Sequence, residues 1–424
     1  MHPTLRFRPL RPAVAVDAPS SLDLLITITP PALPAEQSSR QRLPLNLALV
    51  IDRSGSMSGR KLSHARKAAR FLVSQLTADD RLALISFDDE VAVLMPSTPV
   101  RDPQPFLAAI DTIDSGGCTA LFDGWRAGGL QVAEHLAPAA LNRVLLLSDG
   151  HANRGLTDAA AIADAVAGLS QRGISTSAFG LGLDFDEDLM GAIASAGEGT
   201  LAHIESPQQL EDLYASELRG LATTIGRKVS LGIRGKHGAE VVDVLNDLPR
   251  TSGGNHQLPG LRYGQELKVA VRLQLPAWTA NQPIATVRLA WNPAGADARQ
   301  ELIEPLTLPV RPAADIAGLP VDEAVVEAFA LQEANRARRQ AMDQLDRGDL
   351  DAAHGTLGLM ASRLACLTPS LRSTEELQLL RQKQALLRSD RKRARKGLSR
   401  ESLRSSLDVW DGDRDSNTAG GDHS

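Results

Sequence analysis

Leu45-Asn46-Leu47-Ala48-Leu49-Val50-Ile51-Asp52-Arg53-Ser54-Gly55-Ser56-Met57-Ser58-Gly59 is the stretch that decides how this chain is read. An apolar run of strand length stops at Asp52, and hydroxyls follow at alternate positions, Ser54 and Ser56. Beyond Gly59 the period changes: Leu62, Ala65, Ala69, Leu72, Val73 and Leu76 recur at helical spacing. The stretch predicts a buried strand, a tight polar turn and an amphipathic helix. In an open α/β sheet, ligands bind in the crevice beyond the carboxyl ends of the strands. The turn therefore brings one carboxylate and two hydroxyls to the functional edge. These are hard oxygen donors, suited to magnesium, manganese or calcium rather than to zinc or copper.

Two later stretches complete the pattern. Gly116-Gly117-Cys118-Thr119-Ala120 opens a helical segment, and Val144-Leu145-Leu146-Leu147-Ser148-Asp149-Gly150 is a second apolar run ending in an acid. With these in order, the Asp-x-Ser-x-Ser turn resembles the metal-ion-dependent adhesion site of von Willebrand factor A domains. Residues 116–120 match the family's threonine loop and Asp149-Gly150 its third loop. The resemblance covers about residues 44–222. It implies that Ser54, Ser56 and Thr119 ligate the ion directly, while Asp52 and Asp149 act through bound water. Neutral ligands leave a divalent charge poorly neutralised, and magnesium keeps exchangeable waters. The ion then accepts a carboxylate from a partner protein. The resemblance also implies Mg2+ as the cofactor, with Mn2+ or Ca2+ as substitutes, and a partner such as a MoxR-type ATPase or a kinase and phosphatase system.

Around this domain the chain reads in order. Leu22, Leu24, Ile26 and Ile28 alternate with polar residues as a half-buried strand, and 34–42 reads as a polar linker. Leu82–Phe87 and Val91–Met95 are separated by three residues, which suits an antiparallel hairpin at the edge of a parallel sheet. Strands then alternate with helices to about residue 224, the pattern of a doubly wound sheet. From 225 to 315 only strand signals return, as in Leu267, Val269, Val271, Leu273 and Leu275. A lone amino-terminal hairpin would be barely stable. Residues 1–43 and 225–315 are therefore expected to form one β-sandwich with the α/β domain, 44–224, inserted. By resemblance, inter-alpha-trypsin inhibitor heavy chains are arranged similarly. Residues 320–390 carry two helical stripes joined by Arg347-Gly348-Asp349, a helical hairpin or small bundle, and 397–424 reads as a disordered tail.

Bulk properties narrow the function. The 424 residues suffice for two or three cores. A net charge of -5 argues for neither nucleic acid nor a membrane surface. Met1-His2-Pro3-Thr4-Leu5-Arg6-Phe7-Arg8 lacks the apolar core of a secretory signal. No run reaches the roughly 18 apolar residues that a spanning helix needs. A cytoplasmic protein is expected. Cys118 and Cys366 fall in different predicted domains, so no structural disulfide is expected.

Competing readings stay open at several residues. Asp52, Ser54 and Ser56 also suit helix capping. Cys118 fits either a redox role or small-residue packing, and Asp88 and Asp89 read as turn residues. Asp123 suits either support of the metal loop or a helix start. Asp184, Asp186, Glu187 and Asp188 lack an EF-hand's glycine-centred loop, and Asp186 to Asp188 read as charge at a helix amino end. His151 and His203 have no partners at zinc spacing and read as structural. Three functions follow. The first is a non-enzymatic, metal-dependent interaction module acting as a regulatory adaptor. The second is a magnesium-dependent hydrolase or phosphotransferase with Asp52 as nucleophile. The third is a nucleic-acid adaptor using the basic run 381–400, which has no interleaved aromatics.

Overall fold

The computed structural model describes residues 2–33, 43–149, 152–182, 185–204, 209–279, 282–294, 296, 298–389, 394, 395, 397 and 398. The chain divides into two compact units, residues 34–228 with 292–299, and residues 1–33, 229–291 and 300–424.

The chain begins with β1 (Thr4–Pro9), β2 (Val14–Ala15) and β3 (Ser20–Thr29), which belong to the second unit. The first unit follows as β4 (Leu45–Asp52), α1 (Arg60–Gln75), β5 (Arg81–Phe87), β6 (Val91–Pro99), α2 (Gln104–Asp111), α3 (Leu121–Ala133) and β7 (Leu141–Ser148). It closes with α4 (Ala159–Gln171), β8 (Ile174–Leu181), α5 (Glu187–Ala196), β9 (Leu201–Ile204) and α6 (Leu210–Ala222). Its sheet runs β6-β5-β4-β7-β8-β9. Every pairing is parallel except the β5–β6 hairpin. This is a Rossmann-like α/β domain with a mostly parallel sheet.

The unbroken apolar character of β4 follows from coverage on both faces. Leu45, Leu47, Leu49 and Ile51 pack with Leu62, Ala65, Ala69 and Leu72 of α1 and with Tyr214 of α6. Ala48 and Val50 turn to the other face and meet Leu121 and Trp125 of α3. The strand order reverses between β4 and β7, because the chain moves outward from β4 through β5 and β6, then returns to β7. That reversal opens a crevice at the carboxyl ends of these two strands.

The second unit resumes at Val229 within β10 (Thr224–Gly235), and β11 (Glu240–Val244), β12 (His256–Gln257), β13 (Leu261–Arg262) and β14 (Leu267–Leu275) come next. After them come β15 (Ala285–Pro293), β16 (Gln300–Leu306) and β17 (Val310–Arg311). One sheet is β1-β3-β14-β11, so a strand from before the α/β domain lies beside one from after it, in register from Leu267–Ile28 to Leu275–Ser20. A second sheet runs β12-β10-β15-β16 with β13 on β10, and β2 pairs with β17.

The short α7 (Ala313–Ala317) leads to α8 (Glu323–Asp346), α9 (Leu350–Ala365) and α10 (Leu371–Ser389). The long helix α8 serves two cores. Its first turns bring Val325, Ala328 and Phe329 against Leu25, Leu245 and Ala270, while Ala334, Ala341 and Leu345 pack with Leu357 and Leu380. The expected hairpin is therefore the α8–α9 part of a three-helix arrangement. Gly397 and Leu398, read as the start of a disordered tail, are helical, and Leu398 is buried beside Ala394 in this core. The spacing of four residues puts both on one helix face. Residues 399–424 lie outside the described residues, as do 390–393 and 396 of the basic run, in which Arg395 pairs with Asp346 at 2.6 Å.

Candidate metal centre

Because Ile51 is in register with Leu147, the ends of β4 and β7 lie side by side, Asp52 next to Ser148. Asp52 has no solvent exposure. Its Oδ1 accepts the Ser54 backbone N–H at 2.8 Å, and its Oδ2 accepts the Ser148 hydroxyl. Burial pushes the Asp52 carboxyl above its ordinary range; the Ser148 and Ser54 hydrogen bonds oppose this, and the nearby Asp149 charge adds to it.

The two serines continue the contact. Ser54 Oγ and Ser56 Oγ stand 3.1 Å apart, and the Ser56 hydroxyl donates to Asp149 Oδ1 at 2.7 Å. Asp149 Oδ2 pairs with the Lys61 ammonium. Asp52, Ser54, Ser56 and Asp149 thus form one linked cluster, although Asp149 lies 93 residues beyond Ser56.

Backbone atoms fasten the threonine loop to this turn. The Gly116 N–H donates to the Arg53 carbonyl at 2.7 Å, and the Gly55 N–H donates to the Gly117 carbonyl at 3.0 Å. Glycine is needed for so close an approach: a Cβ on Gly55 would stand 3.3 Å from the Gly116 carbonyl oxygen, and one on Gly116 only 1.7 Å from Asp88 Oδ2. Thr119 is buried two residues further on, its N–H donating to Asn153 Oδ1 at 2.8 Å. What joins Thr119 to the cluster is this backbone zipper.

Several sequence readings change here. Asp88 and Asp89 do more than turn the chain. Asp88 accepts from Arg53 at 2.9 Å and from the Gly117 N–H at 3.2 Å, and Asp89 accepts the Cys118 N–H. They anchor the threonine loop, a role invisible in a three-residue link between strands. The helix-capping alternative is not what the turn does: α1 is capped by Gly59, and neither it nor the single helical turn Gly55–Met57 has a side-chain cap bond. Cys118 is exposed, so it does not fill a packing gap, and Cys366 is exposed and free as well. Asp123 sits in the first turn of α3, beside Arg126 at 3.5 Å. Asp186 caps α5 by accepting the Leu189 N–H at 3.0 Å, as the helix-end reading expects. Asp184, His151 and the side chain of His203 lie outside the described residues. Lys61, Ser148 and Asn153 act on Asp149, Asp52 and Thr119, which lie 88, 96 and 34 residues away, a separation at which sequence periodicity carries no signal.

Among the described residues, no group of three or more His, Cys, Asp or Glu side chains is placed to hold a metal. The candidate donors are instead hydroxyls backed by two buried carboxylates. That set fits a small hard divalent cation, since oxygen is the ligand such ions take and two adjacent buried acids require positive charge nearby.

Fold and site together define an α/β domain with a polar loop cluster at its topological switch point. Residues 46–216 match the family model of the von Willebrand factor type A domain, and the chain contains such a domain. Over 169 residues it is 34% identical to the protein sll0103 of Synechocystis, covering 40% of each chain. It is 29% identical over 202 residues to YfbK of Escherichia coli, covering 47% of this chain and 35% of that protein. It is also 25% identical over 266 residues to pig inter-alpha-trypsin inhibitor heavy chain H2, covering 59% of this chain and 28% of the relative. The chain thus spans two fifths or less of these relatives' lengths. Among solved structures, a von Willebrand factor type A protein from Catenulispora acidiphila superposes with a TM-score of 0.71 at 18% identity, covering 96% of this chain and 97% of that one. The ArnB paralog VWA2 from Sulfolobus acidocaldarius gives 0.60 at 16% identity, covering 96% of this chain and all of the other. Among the described residues, no helix is long and apolar enough to cross a membrane.

Proposed function

We propose that the loops after β4 and β7 hold a divalent cation, Mg2+ in the first instance, and that this ion docks a carboxylate of a partner protein. Ser54, Ser56 and Thr119 would supply direct hydroxyl ligands, and Asp52 and Asp149 would act through water. The observation that carries this reading is the continuous contact from buried Asp52 through Ser54 and Ser56 to Asp149. A hydroxyl-rich ligand set leaves the ion short of negative charge, and an incoming Asp or Glu side chain relieves the deficit.

The protein then acts as a cytoplasmic regulatory adaptor, with no catalysis of its own. We read the two sheets of the second unit as leaves of a β-sandwich that, with the helices, offers further contact surface. A MoxR-type ATPase or a kinase and phosphatase pair suits the partner role. The enzyme alternative has less support: Asp52 is fully buried with both carboxylate oxygens engaged, a poor state for a nucleophile.

Isothermal titration with MgCl2 tests the ion, and partner capture with and without chelator tests the docking. Saturable binding, weakened about 10–100-fold in Ser56→Ala, together with chelator-sensitive capture, is expected. No binding of Mg2+ or Mn2+, or capture indifferent to chelator, would overturn the reading.

A further inference from the structure

Lys61 stands in the first turn of α1, two residues beyond Gly59, and its ammonium reaches into the loop cluster to pair with Asp149. The two partners differ in exposure. The Asp149 side chain is 0% exposed, whereas that of Lys61 is 34% exposed. The acid is held in place and the base has a path out to solvent. The lysine lies alongside Gly182, just past the end of β8, at ordinary packing distance. A Cβ there would stand 3.6 Å from Lys61 Cε and 3.8 Å from Nζ.

This pair meets the charge requirement of the site by an internal route. Asp149 accepts the Ser56 hydroxyl on one oxygen and the Lys61 ammonium on the other. A divalent ion held through Ser56 and a water on Asp149 would set its charge against the lysine's at short range, where Coulomb repulsion is strongest. We infer that Lys61 is a built-in counter-cation of the site, which neutralises Asp149 when no ion is bound and is displaced outward when one binds. The inference rests on the metal-binding reading above and adds to it a residue that sets the threshold of occupancy. A buried carboxylate stripped of its partner is costly, so removing the lysine charge raises the free energy of the ion-free protein and favours binding.

Magnesium titration of the full chain is compared for wild type, Lys61→Met and Lys61→Arg. Lys61→Met is expected to bind about tenfold more tightly, a change of about 1.4 kcal/mol, and Lys61→Arg to stay close to wild type. Unchanged or weaker binding by a folded Lys61→Met protein, while wild type binds, overturns the counter-cation role and leaves the metal reading intact. Absence of binding by wild type to either Mg2+ or Mn2+ overturns both. Should Lys61→Met not fold, the wild-type protein supplies the answer. Reductive methylation followed by mass spectrometry should show Lys61 modified several-fold faster with saturating Mg2+ than with chelator, and an equal or slower rate overturns the inference.

Discussion

The Ser56 hydroxyl donates to Asp149 Oδ1 at 2.7 Å and stands 3.1 Å from Ser54 Oγ. A single oxygen thus connects the turn after β4 to the end of β7. Ser56→Ala removes that connection without adding bulk. Magnesium affinity is expected to fall about 10–100-fold, the range seen when groups supporting a metal site are lost, with the folded state retained. Isothermal titration and far-UV circular dichroism together check this.

Asp52 bears on stability as well as on binding. Its carboxyl is pushed above 3.8, first by burial. A group raised on folding contributes stability that is fully present below its unfolded value and lost as pH rises through its folded value. Ion-free protein should therefore weaken as pH rises from about 4 upward through that window. Asp52→Asn keeps an acceptor for the Ser54 N–H but carries no charge. It is expected to raise the ion-free melting temperature by about 3 °C at neutral pH, flatten this pH dependence and weaken magnesium binding about 10–100-fold. Thermal melts in chelator across pH, with a parallel titration, check all three.

Asp52→Ala separates support of the ion from support of the fold. The variant is expected to remain folded and to bind magnesium about 10–100-fold more weakly. Gross unfolding, read by circular dichroism, would assign Asp52 a structural role instead.

Gly116 tests the threonine loop. An added Cβ would lie 1.7 Å from Asp88 Oδ2, which also accepts the Gly117 N–H. Gly116→Ala must push that carboxylate or the loop aside. A loss of about 1–3 kcal/mol in denaturant unfolding is expected, the usual scale for forced overpacking. Magnesium affinity should fall with it, because the loop bearing Thr119 is displaced.

In the second unit, Arg336 of α8 grips Asp243 of β11 through two bonds of 2.7 and 2.8 Å and reaches Asp247 at 2.6 Å. The Arg336 hydrogen bonds hold the Asp243 carboxyl below its ordinary 3.8. A depressed carboxyl contributes stability that is present above the unfolded value and lost as pH falls through the folded one. Arg336→Met should cost about 1 kcal/mol at neutral pH, discounted for the pair's exposure, and should flatten the loss of stability below about pH 4. Urea melts at pH 7 and pH 3 check it.

Much of the α/β domain was legible in the residues alone. The run Leu45–Ile51 is apolar at nearly every position because both faces of β4 are covered, and the shift of period after Gly59 announced α1. Asp52 and Asp149 stood out because each ends an apolar run abruptly. Less legible was the machinery that holds the loops. Asp88 looked like a turn residue because its partners, Arg53 and the Gly117 N–H, lie 35 and 29 residues away. Arg143 was likewise hidden within an apolar strand, yet it is buried against Glu217 and bonds Ser175 at 2.7 Å. Helix α8 showed one stripe of small residues, with no sign that its first turns pack on a sheet and the rest on helices.

Hydrophobic period, glycine placement and the chemistry of side chains at strand ends determined which segments become strands or helices and which residues are available to a cation. These are local properties, because backbone geometry repeats every two or 3.6 residues and shows in any short window. The pairing of β4 with β7, the zipper between Gly55 and Gly117, and the lysine resting on Asp149 were decided only by tertiary structure. Each joins atoms far apart along the chain, and such contacts leave no periodic trace in the sequence.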